Sequence, residues 1–173
     1  MIEPGILPDI RRLMASWVGV PAFIRDERLD VVAANPLATA LSESFTPGVN
    51  LARFAFLDPG PRSSAEDWSD MAGQVVAVLR ASATEHRGDA DLRRLVGELA
   101  SKDRGFADTW ALDRRDAPKS AALAFDHDTC GTLQLWYQQL PLTGDGRLVL
   151  VVWHPADEAT REALADLEAM VDG

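Results

Sequence analysis

The fold is decided by residues 131–154, which read Gly131-Thr132-Leu133-Gln134-Leu135-Trp136-Tyr137-Gln138-Gln139-Leu140-Pro141-Leu142-Thr143-Gly144-Asp145-Gly146-Arg147-Leu148-Val149-Leu150-Val151-Val152-Trp153-His154. In the first half, Leu133, Leu135 and Tyr137 alternate with outward residues, which is the period of a strand with one buried face. The second half is apolar from residue 148 to 153, as expected of a central strand. Residues 143–146 tolerate positive φ, so we predict a hairpin turn between the two strands.

Outside this hairpin, apolar spacing predicts the remaining elements. Helices are predicted over residues 5–17, 36–42, 51–57, 65–84, 90–100 and 103–112, with a closing helix after residue 157. Strands are predicted at 22–24, 29–34 and 120–125. Asn35 and Asn50 have the position of N-caps, and residues 63–66 have the Ser-x-x-Glu spacing of a capping box.

This order of elements predicts an α+β fold. We expect a PAS-like antiparallel sheet with a helical block inserted between strands 2 and 3 and covering one face, plus N- and C-terminal helices. No linker or repeat divides the chain, so residues 1–173 are interpreted as a single domain.

Composition limits the function. The chain has 173 residues and a formal net charge of −10, from 27 acidic and 17 basic residues. A nucleic-acid or anionic-membrane binder needs a cationic surface, so we expect neither partner for this chain. It has no apolar run long enough to span a membrane and no secretory signal, and its one cysteine fits a reducing cytosol, so a cytoplasmic location is expected.

Few residues in the sequence are candidates for metal binding or catalysis. Asp126, His127, Asp128 and Cys130 are residue types that bind metals, but no second Cys or Cys-His pair completes a site, so we interpret them as a turn. Cys130 is expected to be a small, partly buried thiol rather than a nucleophile. No catalytic or phosphate-binding motif occurs. We therefore predict no catalytic residues, no metal and no cofactor.

The apolar and aromatic residues carry more information. Pockets for small molecules are mostly apolar, with a few polar groups for orientation. We predict that ligand-facing residues come from the helical block and from the first strand of the hairpin, with Arg53 and Tyr137 as the polar candidates. The predicted set is Arg53, Phe54, Leu57, Trp68, Val75, Leu79, Phe106, Trp110, Leu133, Leu135 and Tyr137. The alternative is that these side chains simply fill a core.

Several stretches in order resemble one known family. They are Pro4–Leu13, Pro21–Ile24, Leu29–Asn35, Asn50–Pro59 (the strongest), Asp67-Trp68, Val75–Arg80, Leu95–Leu99, Phe106–Trp110, and Phe125-x-His127 leading into Gly131-Thr132-Leu133. Together they resemble the C-terminal ligand-binding domain of MmyB-like transcription regulators.

The resemblance implies a PAS-like sensor that follows a helix-turn-helix domain, binds a small apolar effector such as a fatty acid, and forms a homodimer. One departure is Ala34, where the family usually has tryptophan. No helix-turn-helix precedes residue 5, so we expect DNA to be reached only through an attached or partner domain. The alternative function is a structural dimerisation or protein-interaction domain with a filled core and no ligand.

Overall fold

The computed structural model of the chain describes residues 6–58, 65–112, 116, 119–144 and 147–172. These residues belong to two compact units. The sheet unit comprises the described parts of residues 1–26, 30–49 and 119–173, and the helical unit comprises those of residues 27–29 and 50–118. Within the described residues the elements are α1 (Ile6–Ala15), β1 (Ala22–Arg25), β2 (Val31–Ala34), α2 (Pro36–Leu41), a 3₁₀ turn (Glu43–Phe45), α3 (Leu51–Leu57), α4 (Ala65–Glu85), α5 (Ala90–Lys102), α6 (Arg104–Leu112), β3 (Ser120–His127), β4 (Gly131–Pro141), β5 (Val149–Pro155) and α7 (Glu158–Asp172).

The sheet has five strands in the order β2-β1-β5-β4-β3, and every pair is antiparallel. Strand β5 is central, which confirms the prediction from its uninterrupted apolar run. The helices α2 to α6 lie in the chain between β2 and β3. The α+β class, the PAS-like topology and the inserted helical block are therefore confirmed. That this block covers one face of the sheet, and that residues 1–173 form a single domain, stay predictions.

The two faces of the sheet have different composition. On one face Ala22, Ile24, Ala33 and Leu150 form an apolar cluster with Met14 of α1, so α1 packs against this face. The opposite face, which we call the aromatic face, carries Phe23, Arg25, Phe125, Leu133, Leu135, Tyr137, Gln139, Val151 and Trp153, as the strand registers require. On β4, the predicted alternation is confirmed, because Leu133, Leu135 and Tyr137 are buried while the residues between them are exposed.

Asn35 joins three elements of the sheet unit. Its Oδ1 accepts hydrogen bonds from the N–H groups of Ala38, at the start of α2, and of Ala22, at the start of β1. Its Nδ2 donates to the carbonyl oxygens of Val20 and Met14. The predicted N-cap is confirmed, and the buried side chain also holds the connection from α1 to β1.

The helical unit has its own apolar core. It is formed by Leu29, Ala52, Ala55, Phe56, Ala72, Val76, Val78, Leu79, Leu92, Leu95, Leu99 and Phe106. Asn50 caps α3, as predicted, because its Oδ1 accepts from the N–H of Arg53. Asp89 caps α5 by accepting from Asp91 and Leu92, and it pairs with Arg28 at 3.0 Å.

Several boundaries differ from prediction by one or two residues, and those of β1 and β2 have a structural explanation. The predicted strand 29–34 begins only at Val31, because Leu29 has a φ of +67° and contributes its side chain to the core of the helical unit. Strand β1 extends through Arg25, one residue beyond the predicted strand 22–24. The predicted capping box at residues 63–66 and the tip of the hairpin at 145–146 lie outside the described residues.

Among the described residues, no helix is both long enough and apolar enough to cross a membrane.

Candidate ligand-binding site

Five rings gather on the aromatic face of the sheet unit. We call Phe23, Phe45, Phe125, Tyr137 and Trp153 the aromatic cluster. The ring of Phe45, from the 3₁₀ turn, stacks on Phe23 with centroids 4.5 Å apart and contacts Trp153 at 5.8 Å and Phe125 at 6.4 Å. Tyr137 lies 5.2 Å from Trp153, its direct partner across β4 and β5. These rings pack against one another, and Phe23, Phe45, Tyr137 and Trp153 are buried.

A polar group borders the aromatic cluster. The buried guanidinium of Arg25 donates to the carbonyl oxygen of Asp26 and to the side-chain oxygen Oε1 of Gln139. Gln139 also shares a side-chain hydrogen bond with Tyr137. Arg25, Gln139, Tyr137 and Trp153 thus form a continuous line, which we call the polar strip, across β1, β4 and β5. Within the described part of the chain, Arg25 forms no ion pair with a carboxylate.

Burial sets the protonation of the polar strip. Desolvation lowers the pKa of Arg25 to about 10, although the nearby Asp26 carboxylate and Tyr137 oppose that shift. Desolvation likewise raises the pKa of Tyr137 to about 12, while the Gln139 hydrogen bond and Arg25 act in the opposite direction. At neutral pH Arg25 is therefore charged and Tyr137 is neutral. The strip carries one buried positive charge.

Trp153 presents an unsatisfied donor. The residue is 6% exposed, and its indole Nε1–H finds no acceptor among the described residues. A buried donor without a partner costs about 1–3 kcal/mol, so such groups are rare in native proteins and require an explanation. The donor lies on the ring that contacts both Phe45 and Tyr137.

The helical unit contains a second aromatic group. Phe106 meets Phe56 edge-on at 5.0 Å and stacks on Trp110 at 5.6 Å. The guanidinium of Arg80 lies 4.8 Å from the centre of the Trp110 ring and donates to the Trp110 carbonyl oxygen. Within the described residues, Nε of Arg80 is buried without a partner.

The predicted site residues fall into both units. In the sheet unit, Leu133, Leu135 and Tyr137 share the aromatic face, as proposed from their alternation. In the helical unit, Leu79 and Phe106 are fully buried core residues, whereas Phe54, Leu57, Val75 and Trp110 are partly buried. The side chain of Trp68 lies outside the described residues. Whether these residues contact a ligand stays a prediction.

Arg53 is held at the surface of the helical unit. Its guanidinium pairs with the Glu98 carboxylate at 2.9 Å, and Glu98 also accepts from Lys102. The hydrogen bond from Arg53, followed by that from Lys102, lowers the pKa of Glu98. Arg53 thus connects α3 to α5, and a role in ligand contact stays a prediction.

The turn that contains His127 and Cys130 has a structural explanation. The ring atom Nδ1 of His127 accepts from the N–H groups of Thr129 and Cys130, and Nε2 lies 3.0 Å from the carbonyl oxygen of Ala40. Both ring nitrogens are therefore used within the fold. Burial raises the pKa of the Cys130 thiol, which disfavours the reactive thiolate. In the described ranges no group of three or more potential metal ligands is found.

Sequence reasoning missed the polar strip. Arg25 lies just outside the predicted strand 22–24, and Trp153 was predicted only as part of the central strand. The available signal was the period of two: Arg25 follows Phe23 at i+2 on a strand, so both side chains lie on one face. The pairing of Arg25 with Gln139 depends on strand order, which the local pattern does not contain.

Comparison with known proteins shows which family the chain resembles. The model of the MmyB-like transcription regulator ligand binding domain matches residues 6–167. No curated protein matches the chain. Among solved structures, the PAS domain from Bordetella pertussis BvgS is similar, with 13% sequence identity, a TM-score of 0.39 and coverage of 96% of each chain. A structural likeness at this level carries no argument about function.

Proposed function

Because this chain belongs to the MmyB-like transcription regulator ligand-binding domain family, we propose that its effector is a small apolar molecule with a long chain, such as a fatty acid. The proposal adds that the bound effector controls DNA binding by an attached or partner helix-turn-helix domain. The observation that supports it is the aromatic cluster, in which Phe23, Phe45 and Trp153 pack against one another on one face of the sheet.

The energetics of burial favour an effector of this class. Each methylene removed from water gains about 0.8 kcal/mol. About ten buried methylenes would gain about 8 kcal/mol, which leaves useful affinity after the cost of ordering the ligand and side chains. Aromatic rings offer large contact areas at a low entropic cost, so they suit a flexible chain that has few polar groups.

A route for the signal follows from the two faces of β1. Phe23 and Arg25 lie on the aromatic face, while Ala22 and Ile24, between them in sequence, pack against Met14 of α1. A ligand that displaces β1 would therefore also move the surface against which α1 packs.

The proposal includes a homodimer in the cytoplasm, with no direct contact to DNA. The net charge of −10 opposes binding to phosphate. Because the family is one of regulator ligand-binding domains, we expect no catalytic activity and no cofactor. Sedimentation of the purified chain at increasing concentration tests the dimer, and a single sedimenting species of monomer mass would contradict it.

The direct test is whether the purified protein retains an apolar compound. We expect organic extracts of the denatured protein to contain a long-chain compound in molar amounts, and fatty acids to raise the melting temperature of delipidated protein. If no compound is retained and no apolar ligand stabilises the protein, the alternative of a structural dimerisation or protein-interaction domain with a filled core is favoured.

Ala34 provides a variant that reports on the location of the site. It lies opposite Phe23 on β2, so its side chain belongs to the aromatic face. Ala34→Trp adds a large ring there, and we expect a shorter maximum chain length for bound fatty acids. Trp136→Phe is the matched control because Trp136 is exposed on the opposite face of β4. An equal effect of both substitutions would contradict a site on the aromatic face.

A further inference from the structure

The two edges of the five-stranded sheet differ in how they are protected. The β2 edge is only four residues long, and its register with β1 contains an irregularity. The N–H of Val31 donates to the Val49 carbonyl oxygen, the Val31 carbonyl oxygen accepts from Gly48, and Arg11 of α1 donates to the Val32 carbonyl oxygen. Short length, irregular register and covering groups are the means by which proteins prevent an edge strand from pairing with another chain.

Strand β3, at the opposite edge, shows none of these features within the described residues. It spans eight residues, compared with a mean of about 5–6 for strands in general, and it pairs with β4 without a shift in register. Residues 120–125 contain neither proline nor a charged residue. An edge strand of this length and composition is suited to pair with a further strand.

The outward main-chain groups of β3 can be identified from the ladder with β4. The N–H of Gln139 donates to the Lys119 carbonyl oxygen at 2.8 Å, so these two residues form a hydrogen-bonded pair. Such pairs alternate along an antiparallel ladder, so the N–H and carbonyl groups of Ser120, Ala122 and Ala124 point away from β4. These groups receive no hydrogen bond from the described part of the chain, and the side chains of Ser120 and Ala122 are exposed.

From this open edge we propose that β3 is the surface through which two copies of the chain associate. The β3 strands of the two copies pair antiparallel about a two-fold axis, so that each copy supplies the donors and acceptors that the outward groups of the other require. The two five-stranded sheets then continue into one another. The inference rests on the homodimer of the proposed function and adds the interface to it.

The charges that flank the strand favour a second copy as the partner. The uncharged segment 120–125 lies between Lys119 and Asp126, and both of these side chains are exposed. Antiparallel pairing brings Lys119 of one copy toward the end of β3 that carries Asp126 and Asp128 in the other, whereas parallel pairing would bring like charges together. Since each copy has a net charge of −10, an uncharged segment is where two copies approach with the least repulsion.

Amide hydrogen exchange of the unsubstituted chain, measured by NMR at low and high protein concentration, tests this pairing without any variant. We expect the N–H groups of Ala122 and Ala124 to exchange about tenfold more slowly when about nine tenths of the chain is dimeric, because exchange then proceeds from the remaining monomer. The N–H groups of Ala121 and Leu123 bond to β4, so their exchange rates should be the same at both concentrations.

Ala122→Pro provides a second test by sedimentation equilibrium. Proline removes the outward N–H but no bond to β4, and proline is tolerated on edge strands. We expect the dimer to dissociate at least about tenfold more readily, because the two-fold axis makes every lost hydrogen bond count twice. Trp136→Ala is the control, since Trp136 is exposed on the face opposite the aromatic face, and it should change the dissociation constant less than about twofold.

The outcomes separate this inference from the proposed function. If the chain dimerises but the Ala122 and Ala124 amides exchange equally fast at both concentrations, the β3 interface is contradicted while the homodimer stands. Association that survives Ala122→Pro and is lost in Trp136→Ala would also contradict it, and would place the dimer contact on the other face of the sheet. A monomer at every concentration overturns the homodimer and this inference together, and leaves the proposed effector unaffected.

Discussion

Asn35 shows how much of the sheet unit depends on one residue. Its amide makes four hydrogen bonds, to the main chains of Ala22, Ala38, Val20 and Met14. Its position before Pro36 was enough to predict the N-cap of α2. The bonds to Met14 and Val20 were not predictable, because they depend on how the end of α1 meets the start of β1 in space.

We expect Asn35→Ala to destabilise the protein by about 2–4 kcal/mol, because it leaves several buried main-chain groups unsatisfied. Unfolding by urea measures the change. Thr39→Ala is the control: Thr39 is exposed, its hydroxyl donates to the Asn35 carbonyl oxygen, and the substitution should cost less than about 0.5 kcal/mol. A loss for Asn35→Ala no larger than that of the control would show that the hydrogen bonds contribute little.

Tyr137 is the only tyrosine in the chain, so its ionisation can be followed directly by ultraviolet absorbance. We expect a midpoint near 12 in the folded protein, where burial raises its pKa, and near 10 in urea. Gln139→Leu should raise the folded midpoint further, since the Gln139 hydrogen bond favours the phenolate. A folded midpoint near 10 would contradict the burial of this hydroxyl.

The same shift has a consequence for stability. Because the folded pKa of Tyr137 lies above its unfolded value, the folded state holds the phenolic proton more tightly. The stabilising contribution is fully present below about pH 10 and is lost as the pH rises toward 12. The difference in alkaline stability between the unsubstituted protein and Tyr137→Phe measures it, since phenylalanine has no proton to lose.

At the scale of single elements, β4 carries the alternation from which its buried face was predicted. Leu135 is fully buried and Gln134, its neighbour in sequence, is exposed on the other face. The side-chain period of a strand therefore gives a matched pair of variants. In the helical unit, apolar residues at helical spacing, together with N-cap residues, predicted most of the helices.

We expect Leu135→Ala to cost about 2–5 kcal/mol, the range for a buried leucine truncated in a core. Gln134→Ala, which keeps the hydrogen bond that the Gln134 main-chain N–H donates to Oγ1 of Thr160, should stay within about 0.5 kcal/mol. Chemical unfolding of the two variants tests the register. Equal losses, or a larger loss at Gln134, would indicate that β4 presents its other face to the core.

Asp89 couples the start of α5 to Arg28 in the helical unit. Its pKa is lowered, first by the hydrogen bond from the Leu92 N–H and then by Arg28. Because the folded pKa lies below the unfolded one, the stabilisation is present above about pH 4 and is lost as the pH falls through the folded value.

Asp89→Asn keeps the capping oxygen but removes the charge. We expect a cost of about 1 kcal/mol at neutral pH that disappears under acid conditions. Asp108→Asn is the control, since Asp108 lies in a surface pair with Arg104 at 3.8 Å. A pH-independent difference between Asp89→Asn and the unsubstituted protein would contradict a charge-based contribution.

At the scale of the whole molecule, the order of elements and the inserted helical block could be predicted from the sequence. Each element has a recognisable apolar periodicity and is ended by residues that break it. The boundary at Leu29 did not follow: an apolar residue beside a strand gives no local sign that its φ is positive. Arg25 was also misassigned, because the burial of a charged residue is set by neighbours on other strands. The division into two units likewise depends on contacts that are distant in sequence.

A calorimetric series of saturated fatty acids of increasing length tests whether the aromatic face of the sheet binds an apolar chain. We expect affinity to rise about fourfold with each added methylene until the site is filled, as about 0.8 kcal/mol per methylene requires, with a negative heat-capacity change. Absence of binding at every length, or an affinity that does not depend on length, would contradict it.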